Sequence, residues 1–280
     1  MSDHLIQHVG LIGWPVEHSV SPAMHNAAFD ELGLPWRYTL LPTPPERVEA
    51  VLATLSAEGY RGANVTVPHK QAVMAHLDEI SAEARAVGAV NTILVHGERL
   101  LGYNTDCNGF LTALAEGGLQ PAGKRVLVLG AGGGARSVVY ALTREGCTVA
   151  IHNRSAQHAR DLVRDMQLAD SQASIVTDLT RLDLDRFDLL VNSTPLGMWP
   201  RTAASPWPES LSMPSHWTVF DLIYNPAETR LLTQARAAGA ATIGGLGMLV
   251  NQGVLAFKMW TGEAPSAKVM RLAAERALAE

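Results

Sequence analysis

Arg125-Val126-Leu127-Val128-Leu129-Gly130-Ala131-Gly132-Gly133-Gly134-Ala135 decides how this chain is read. Five residues dominated by leucine and valine form a strand, the glycines turn the chain, and a helix-forming stretch follows. The pattern is G-x-G-x-x-A in the strand–turn–helix context that gives it meaning as a dinucleotide-binding turn. Gly130 permits the tight turn and Gly132 lets a pyrophosphate approach the backbone. Gly133 and Gly134 open the helix, whose free N–H groups face the anion, and Ala135 allows close helix–strand packing. The next strand, Thr148–His152, ends at Asn153-Arg154-Ser155. An NAD-binding chain usually offers a carboxylate to the ribose hydroxyls about 20 residues after the glycine turn. Here an arginine stands there. Arg154 can pair with a 2′-phosphate and stack on adenine, so NADP is the expected cofactor. Asn153 and Ser155 also read as caps of the following helix.

Outward from this stretch, short apolar runs alternate with amphipathic segments of helical length, the signature of a parallel α/β sheet. Downstream, strands are expected near 125–129, 148–152, 174–177, 187–192 and 218–223, with helices near 133–145, 156–167 and 227–238. Upstream, Val9–Gly13, Trp36–Leu41 and Ala63–Val67 read as strands. Ser21-Pro22 opens a helix with Ser21 as N-cap, and Thr43-Pro-Pro-Glu46 reads as a capping box before a helix to about Glu58. Pro68-His69-Lys70 leads into another helical stretch. Ala89–Val95 and Leu100–Tyr103 pair around a turn at Gly97, and a helix runs from about Cys107 to Glu116. The doublet Gly117-Gly118 with Pro121 and Gly123 reads as a boundary loop.

The chain has 280 residues, 47% of them hydrophobic and 18% charged, which excludes disorder and suits two domains. Lys+Arg 22 against Asp+Glu 27 leaves a net charge of −5, with no basic footprint for nucleic acid. Ala237–Phe257 carries no charge, yet Asn251 and Gln252 side by side would be costly in hydrocarbon. We read it as strand, loop and buried helix, not a membrane span. Asp3 and the lack of Lys or Arg before the first apolar stretch argue against a secretory leader. A cytoplasmic protein is expected. Cys107 and Cys147 stand apart with no C-x-x-C. Of ten histidines only His4 and His8 are spaced i,i+4, so neither a disulfide framework nor a metal site is expected.

Three polar clusters interrupt the first part of the chain at its strand ends: Glu17–Pro22, Asn64–Lys70, and Asn91-Thr92 with Asn104-Thr105-Asp106. Hydroxyls, amides, one lysine and one carboxylate suit a small polyhydroxylated acid. Each also has a plainer reading. Ser21 caps a helix, Asn91 steadies a turn, Asp106 caps the next helix, and Lys70 is a solvated lysine.

Taken in order, the motifs resemble the shikimate dehydrogenase family. They are HSVSPAMHN at 18–26, NVTVPHK at 64–70, GAVNT at 88–92, GYNTD at 102–106, GAGGGA at 130–135, NRS at 153–155, NSTPLGM at 192–198, DLIYNP at 221–226 and GLGMLVNQG at 245–253. The resemblance implies an α/β protein of two domains with a cleft between them. An open, mostly parallel substrate domain takes 1–105 and 242–280, and a Rossmann-type NADP domain takes 106–241. It implies NADPH-dependent reduction of 3-dehydroshikimate to shikimate, on the route to chorismate and the aromatic amino acids. Ser19 and Ser21 would bind the substrate carboxylate, and Thr66, Asn91 and Gln252 the ring hydroxyls. Tyr224 would lie near the carboxylate, Met198 near the nicotinamide, and Gly245 at the cofactor. Lys70 and Asp106 would be the catalytic pair. The alternatives are a quinate/shikimate dehydrogenase using NAD or both cofactors, and an aminoshikimate-type paralogue. Monomer and homodimer both stay open.

In the reductive direction the ketone oxygen gains negative charge, and a lysine ammonium is a ready proton donor to it. Lys70 is thus the expected proton-transfer residue, with Asp106 orienting it and bonding the reacting hydroxyl. Pro195 and Cys107 depart from the family pattern without expected consequence. His158 departs with one. It stands where NADP-preferring relatives often carry a second basic residue, and it charges only in acid. The ratio of kcat/KM for NADP over NAD is therefore expected to rise as pH falls. A pH-independent ratio removes His158 from cofactor recognition.

Overall fold

The computed structural model describes residues 6–280, so Asp3 and His4, on which the leader and metal readings drew, lie outside the described residues. Contacts divide the chain into two units. One runs to Thr105 and resumes at Val250; the other is Asp106–Leu249. The second break falls at 249/250 rather than after 241, because Ala241–Ile243 pairs into the second unit's sheet.

The first unit contains β1 (Gln7–Gly13), α1 (Ser21–Glu31), β2 (Trp36–Pro42), α2 (Val48–Thr54), β3 (Tyr60–Val65), β4 (Glu79–Ile80), α3 (Ala82–Val87), β5 (Thr92–His96) and β6 (Arg99–Tyr103). Its sheet has the order β2-β1-β3-β5-β6-β4. The pairs β1–β2, β1–β3 and β4–β6 are parallel, whereas β3–β5 and the β5–β6 hairpin are antiparallel. One face packs Ile12, Leu52, Val65, Val73 and Ile93 into a core.

The second unit follows with α4 (Asp106–Glu116), β7 (Arg125–Leu129), α5 (Gly133–Arg144), β8 (Thr148–His152), α6 (Ala156–Asp165), β9 (Ala173–Val176), β10 (Leu189–Asn192), β11 (Thr218–Asp221), α7 (Arg230–Ala237) and β12 (Ala241–Ile243). Helix α8 (Leu246–Thr261) crosses the second break, and α9 (Ala267–Ala279) ends the first unit. The sheet order β12-β11-β10-β7-β8-β9 is parallel throughout. Its inner strands are buried on both faces, which is why they read as unbroken apolar runs. Leu127 and Leu129 join the core with Trp207, Trp217 and Leu231, while Phe220 meets Phe110 of α4 edge-on at 5.0 Å. Ala237–Phe257 is the end of α7, then β12, then α8. Among the described residues no helix is long and apolar enough to cross a membrane.

Two expected caps do not form. Val20, not Ser21, is the N-cap of α1, and Ser21 is its first helical residue with Pro22 beside it. The Thr43 backbone N–H already donates to Gly13 O at 2.9 Å, so Glu46 has no donor to reach back to. Thr43 instead donates its hydroxyl to Leu41 O, and Pro44 caps a short 3-10 turn. The stretch after Lys70 is likewise only a 3-10 turn, Ala72–His76.

On the first sheet's other face, α1 and α8 bring an aromatic cluster against Tyr38 of β2. Phe29 stacks on Phe257 at 4.6 Å, and Trp260 Nε1 donates to Ile93 O at 2.9 Å. His25 sits inside, fully buried, its ring 4.4 Å from that of Tyr38 and only 2° from parallel. Among the described residues neither ring nitrogen has a hydrogen-bond partner. Burial therefore holds its pKa down to about 3, against 6.5 for a free imidazole. The unfolded chain takes up this proton first, so the contribution of His25 to stability is present above pH 6.5 and lost as pH falls toward 3. The slope expected from this one group is about 1.4 kcal/mol per pH unit. His25→Phe is expected to flatten the decline of melting temperature between pH 6.5 and pH 4.5. Parallel declines in the two proteins overturn the assignment.

Candidate active site

Strand register assembles the first unit's polar clusters. Ile12 pairs with Val65, Asn64 with Thr92, and Thr92 with Tyr103. The ends of β1, β3 and β6 and the start of β5 therefore share one sheet edge. At this edge Asn91 is 3% exposed and its amide orientation is determined. Its Oδ1 accepts from the Thr105 backbone N–H at 2.7 Å and from the Thr92 hydroxyl at 3.1 Å. Its Nδ2 donates to Thr105 Oγ1 at 2.9 Å and to Gln252 Oε1 of α8 at 3.3 Å. Gln252 thus turns its amide oxygen into the cluster.

Beneath Asn91 lies Asn64, whose Nδ2 donates to Asn91 O and Thr92 Oγ1, both at 3.2 Å. Tyr38 fixes that amide by donating its hydroxyl to Asn64 Oδ1 at 2.9 Å. Thr66 and Lys70 follow β3, both half-buried. Lys70 is held at its carbonyl, which accepts from Val90 N–H at 2.7 Å. Asp106 is buried, follows Thr105 directly and begins α4.

Ser19 and Ser21 meet at the start of α1. Ser19 Oγ donates to Ser21 Oγ at 3.1 Å and accepts from the Ser21 N–H at 3.3 Å. Relieved of capping, this hydroxyl pair shares one proton and keeps another to donate. The first turn of the 11-residue helix α1 has no acidic side chain. Two hydroxyls at a positive helix end suit a carboxylate.

In the second unit the candidate residues occupy the C-terminal ends of successive parallel strands. Strand order reverses between β7 and β10, and such a switch point is where α/β sheets bind ligands. The two leading glycines there have different causes. Gly130 adopts φ +111°, and a Cβ on it would lie 2.4 Å from Ser193 Oγ, so the protein itself demands glycine. Gly132 has an ordinary φ of −87°, and a Cβ on it would meet no atom of the described residues within 4 Å beyond its chain neighbours. That space lies open at the uncapped N-terminus of α5, beside the half-buried Ala131, Gly133 and Gly134. Ala135 is fully buried.

At the end of β8, Asn153 Nδ2 donates to Ser155 O at 2.9 Å. Ser155 is the N-cap of α6, yet its side chain makes no capping bond, contrary to the plain capping reading. Arg154 and His158 are exposed, and their side chains make no hydrogen bond or ion pair among the described residues. A cation beside an uncapped helix end with a spare hydroxyl fits a phosphomonoester.

Met198 is 46% exposed, in the segment after β10, and half-buried Tyr224 lies in the segment after β11. Trp199 N–H joins these segments by donating to Asn225 O at 3.0 Å. Gly245 has a packing cause of its own. A Cβ there would lie 2.2 Å from Leu222 O, so no ligand is needed to explain it. Below, Asp221 is fully buried and accepts from Asn192, Ile223 and Thr229. Burial raises its pKa to about 6, against the opposing pull of those three bonds.

From the sequence no individual role is assigned to Tyr38, Asn192, Asp221 or Thr229, and Asn64 and Thr105 enter only as members of polar clusters. Their signal was present, as polar residues at the ends of apolar strands, but their partners are distant in the chain.

Comparison with known proteins agrees with this architecture. The family described as shikimate dehydrogenase substrate binding domain matches residues 11–93, shikimate / quinate 5-dehydrogenase matches 113–197, and shikimate 5′-dehydrogenase C-terminal domain matches 245–275. A shikimate dehydrogenase (NADP(+)) of Moorella thermoacetica is 46% identical over 95% of this chain and 92% of its own. The crystal structure of the Thermus thermophilus shikimate 5-dehydrogenase with NADP(H) and shikimate is 42% identical, with TM-score 0.87 over 97% of this chain and 99% of that one. A quinate dehydrogenase from Corynebacterium glutamicum in complex with NAD is 32% identical, with TM-score 0.86 over 95% and 97%. With this identity over nearly its whole length and the same fold, the chain belongs to the shikimate dehydrogenase family.

Proposed function

We propose that this protein is an NADP-dependent shikimate dehydrogenase, reversibly reducing 3-dehydroshikimate to shikimate on the route to chorismate. The observation that carries the reading is the buried Asn91–Thr105–Gln252 cluster, an oriented set of amides and hydroxyls suited to ring hydroxyls. Ser19 and Ser21 take the carboxylate, Thr66, Asn91 and Gln252 take the hydroxyls, and Tyr224 stands by the acid group. Gly130–Ala135 cradle the pyrophosphate, Asn153, Arg154 and Ser155 hold the 2′-phosphate with His158 beside them, and Met198 borders the nicotinamide. The substrate-holding part spans 1–105 and the C-terminal segment, the nucleotide-holding part the residues between. We place the enzyme in the cytoplasm, where its two free, buried thiols stay reduced.

NADPH supplies the hydride. Lys70, as an ammonium, gives a proton to the oxygen that gains charge, and Asp106 orients that ammonium and bonds the hydroxyl formed. The backbone hold on Lys70 by Val90 ties the proton donor to the strand end that carries Asn91.

Initial rates with shikimate and quinate, each with NADP and NAD, test the reading. Shikimate with NADP is expected to give the highest kcat/KM, and a quinate or NAD preference overturns it. Lys70→Ala is expected to lower kcat by about 10²-fold or more with little change in KM. A near-normal kcat removes Lys70 from proton transfer. The two glycines separate packing from binding. Gly132→Ala should keep its melting temperature yet weaken NADP binding about tenfold or more, a cost of about 1.4 kcal/mol in a titration. Gly130→Ala should destabilise the fold itself by about 1–3 kcal/mol. Normal NADP affinity in Gly132→Ala places the pyrophosphate elsewhere.

A further inference from the structure

Asp221 is a buried carboxylate that the proposed chemistry does not use. Every group that bonds it is neutral. Asn192 Nδ2 donates to Oδ1 at 2.9 Å, Ile223 N–H to Oδ1 at 3.1 Å, and the Thr229 hydroxyl to Oδ2 at 2.7 Å. Among the described residues no charged side chain contributes to its shift. Arg230 and Glu228, next to Thr229, are engaged with Glu209 and Arg236 at the surface, and β10 and β12 bring no charge. An uncompensated carboxylate costs stability when ionised. Mere filling of this space would not call for one.

Its distinctive property is that, ionised, it only accepts. With Nδ2 of Asn192 committed to Asp221, Oδ1 of Asn192 must accept. It takes the Thr194 N–H at 2.9 Å and the Thr194 hydroxyl at 2.7 Å. Thr194 Oγ1 in turn accepts from Leu196 N–H at 3.3 Å, which shapes the segment leading to Met198. On the other side, Ile223 and Thr229 are the two ends of the segment that carries Tyr224. Thr229 also caps α7 by accepting from Leu232 N–H at 3.3 Å. One carboxylate thus sets both segments, which Trp199 and Asn225 join further out.

We propose that Asp221 is a positioning residue whose ionised carboxylate holds the Met198 and Tyr224 segments in their working arrangement and slackens them on taking up a proton. The proposal rests on the reading that these two residues border the nicotinamide and the acid. A protonated Asp221 carries a hydrogen on one oxygen and must donate there, so the arm from the Thr229 hydroxyl, which donates to Oδ2 of the ionised form, has to reverse or break. Because burial raises its pKa to about 6, that change falls within reach of mildly acid conditions. The folded protein takes this proton more readily than an unfolded aspartate. The clasp therefore lowers stability as pH rises through about 6, the opposite of His25.

Asp221→Asn imitates the protonated form, and the test is its kcat/KM for shikimate with NADP from pH 5 to 8, beside the wild type. At pH 7.5 the variant is expected to melt no lower than the wild type while kcat/KM falls about tenfold, as misplacement of bound groups does. The wild type should lose activity toward pH 5 along a limb the variant lacks. Wild-type kcat/KM in the variant, or the same acid limb in both, overturns the proposal. If Asp221→Asn does not fold, Thr229→Val and Thr229→Ser decide. The valine should lower kcat/KM and the serine restore it, and equal activity in the two overturns the clasp. A wild type that fails to oxidise shikimate with NADP overturns the reading of function instead, whatever the variants do.

Discussion

The Asn91 carboxamide can sit only one way round. Buried, with a backbone N–H and a hydroxyl aimed at its oxygen, it must turn its nitrogen toward Thr105 and Gln252. An unpaired amide there would cost the full desolvation of its polar ends, so the bonds are obligatory once the sheet has formed. This side chain joins the start of β5, the exit from β6 and a helix 161 residues away. The same constraint reaches inward through Asn64 to Tyr38, and so to the stacked ring of His25. Hydroxyl-binding chemistry at the sheet edge and aromatic packing on its face are therefore one connected structure. Displacing any member leaves a buried donor or acceptor unpaired.

A comparable economy governs the nucleotide-binding unit. Parallel strands point all their carboxyl ends one way, so the segments after β7, β8, β10, β11 and β12 gather at one edge without further instruction. What varies among them is how each segment is held. Steric closeness holds the turn at Gly130 and the approach of Gly245 to Leu222, hydrogen bonds to Asp221 hold the segments after β10 and β11, and open space is left at Gly132. The glycines of one motif thus have separate causes, which their shared residue type conceals.

Much of this was legible in the chain. Strands 125–129 and 148–152 lie where their leucine and valine runs place them, because a doubly covered parallel strand must be apolar on both sides. The hairpin around Gly97 and the strand–loop–helix division of the charge-free stretch follow from local signals of the same kind. The failures were also physical. Thr43 did not cap because its N–H had been taken by Gly13, and Ser21 did not cap because Val20 holds that place and its hydroxyl is joined to Ser19. A capping signal in sequence states only a capacity. Competing partners brought by the sheet decide whether it is used.

By itself the sequence determined the two-part α/β plan, the glycine turn, and the inventory of serines, amides, lysine and carboxylate at strand ends. Those depend on periodicity and on which residues tolerate a given backbone, both local properties. Only the tertiary structure decided that Asn91, Thr105 and Gln252 close one hydrogen-bonded cluster and that Tyr38 and Asn64 support it. Likewise only the fold showed that Gly132 faces open space, and that Asp221 is buried without a cation. Amide orientation, free volume and desolvation are set by atoms that arrive from distant parts of the chain, and no local pattern records them.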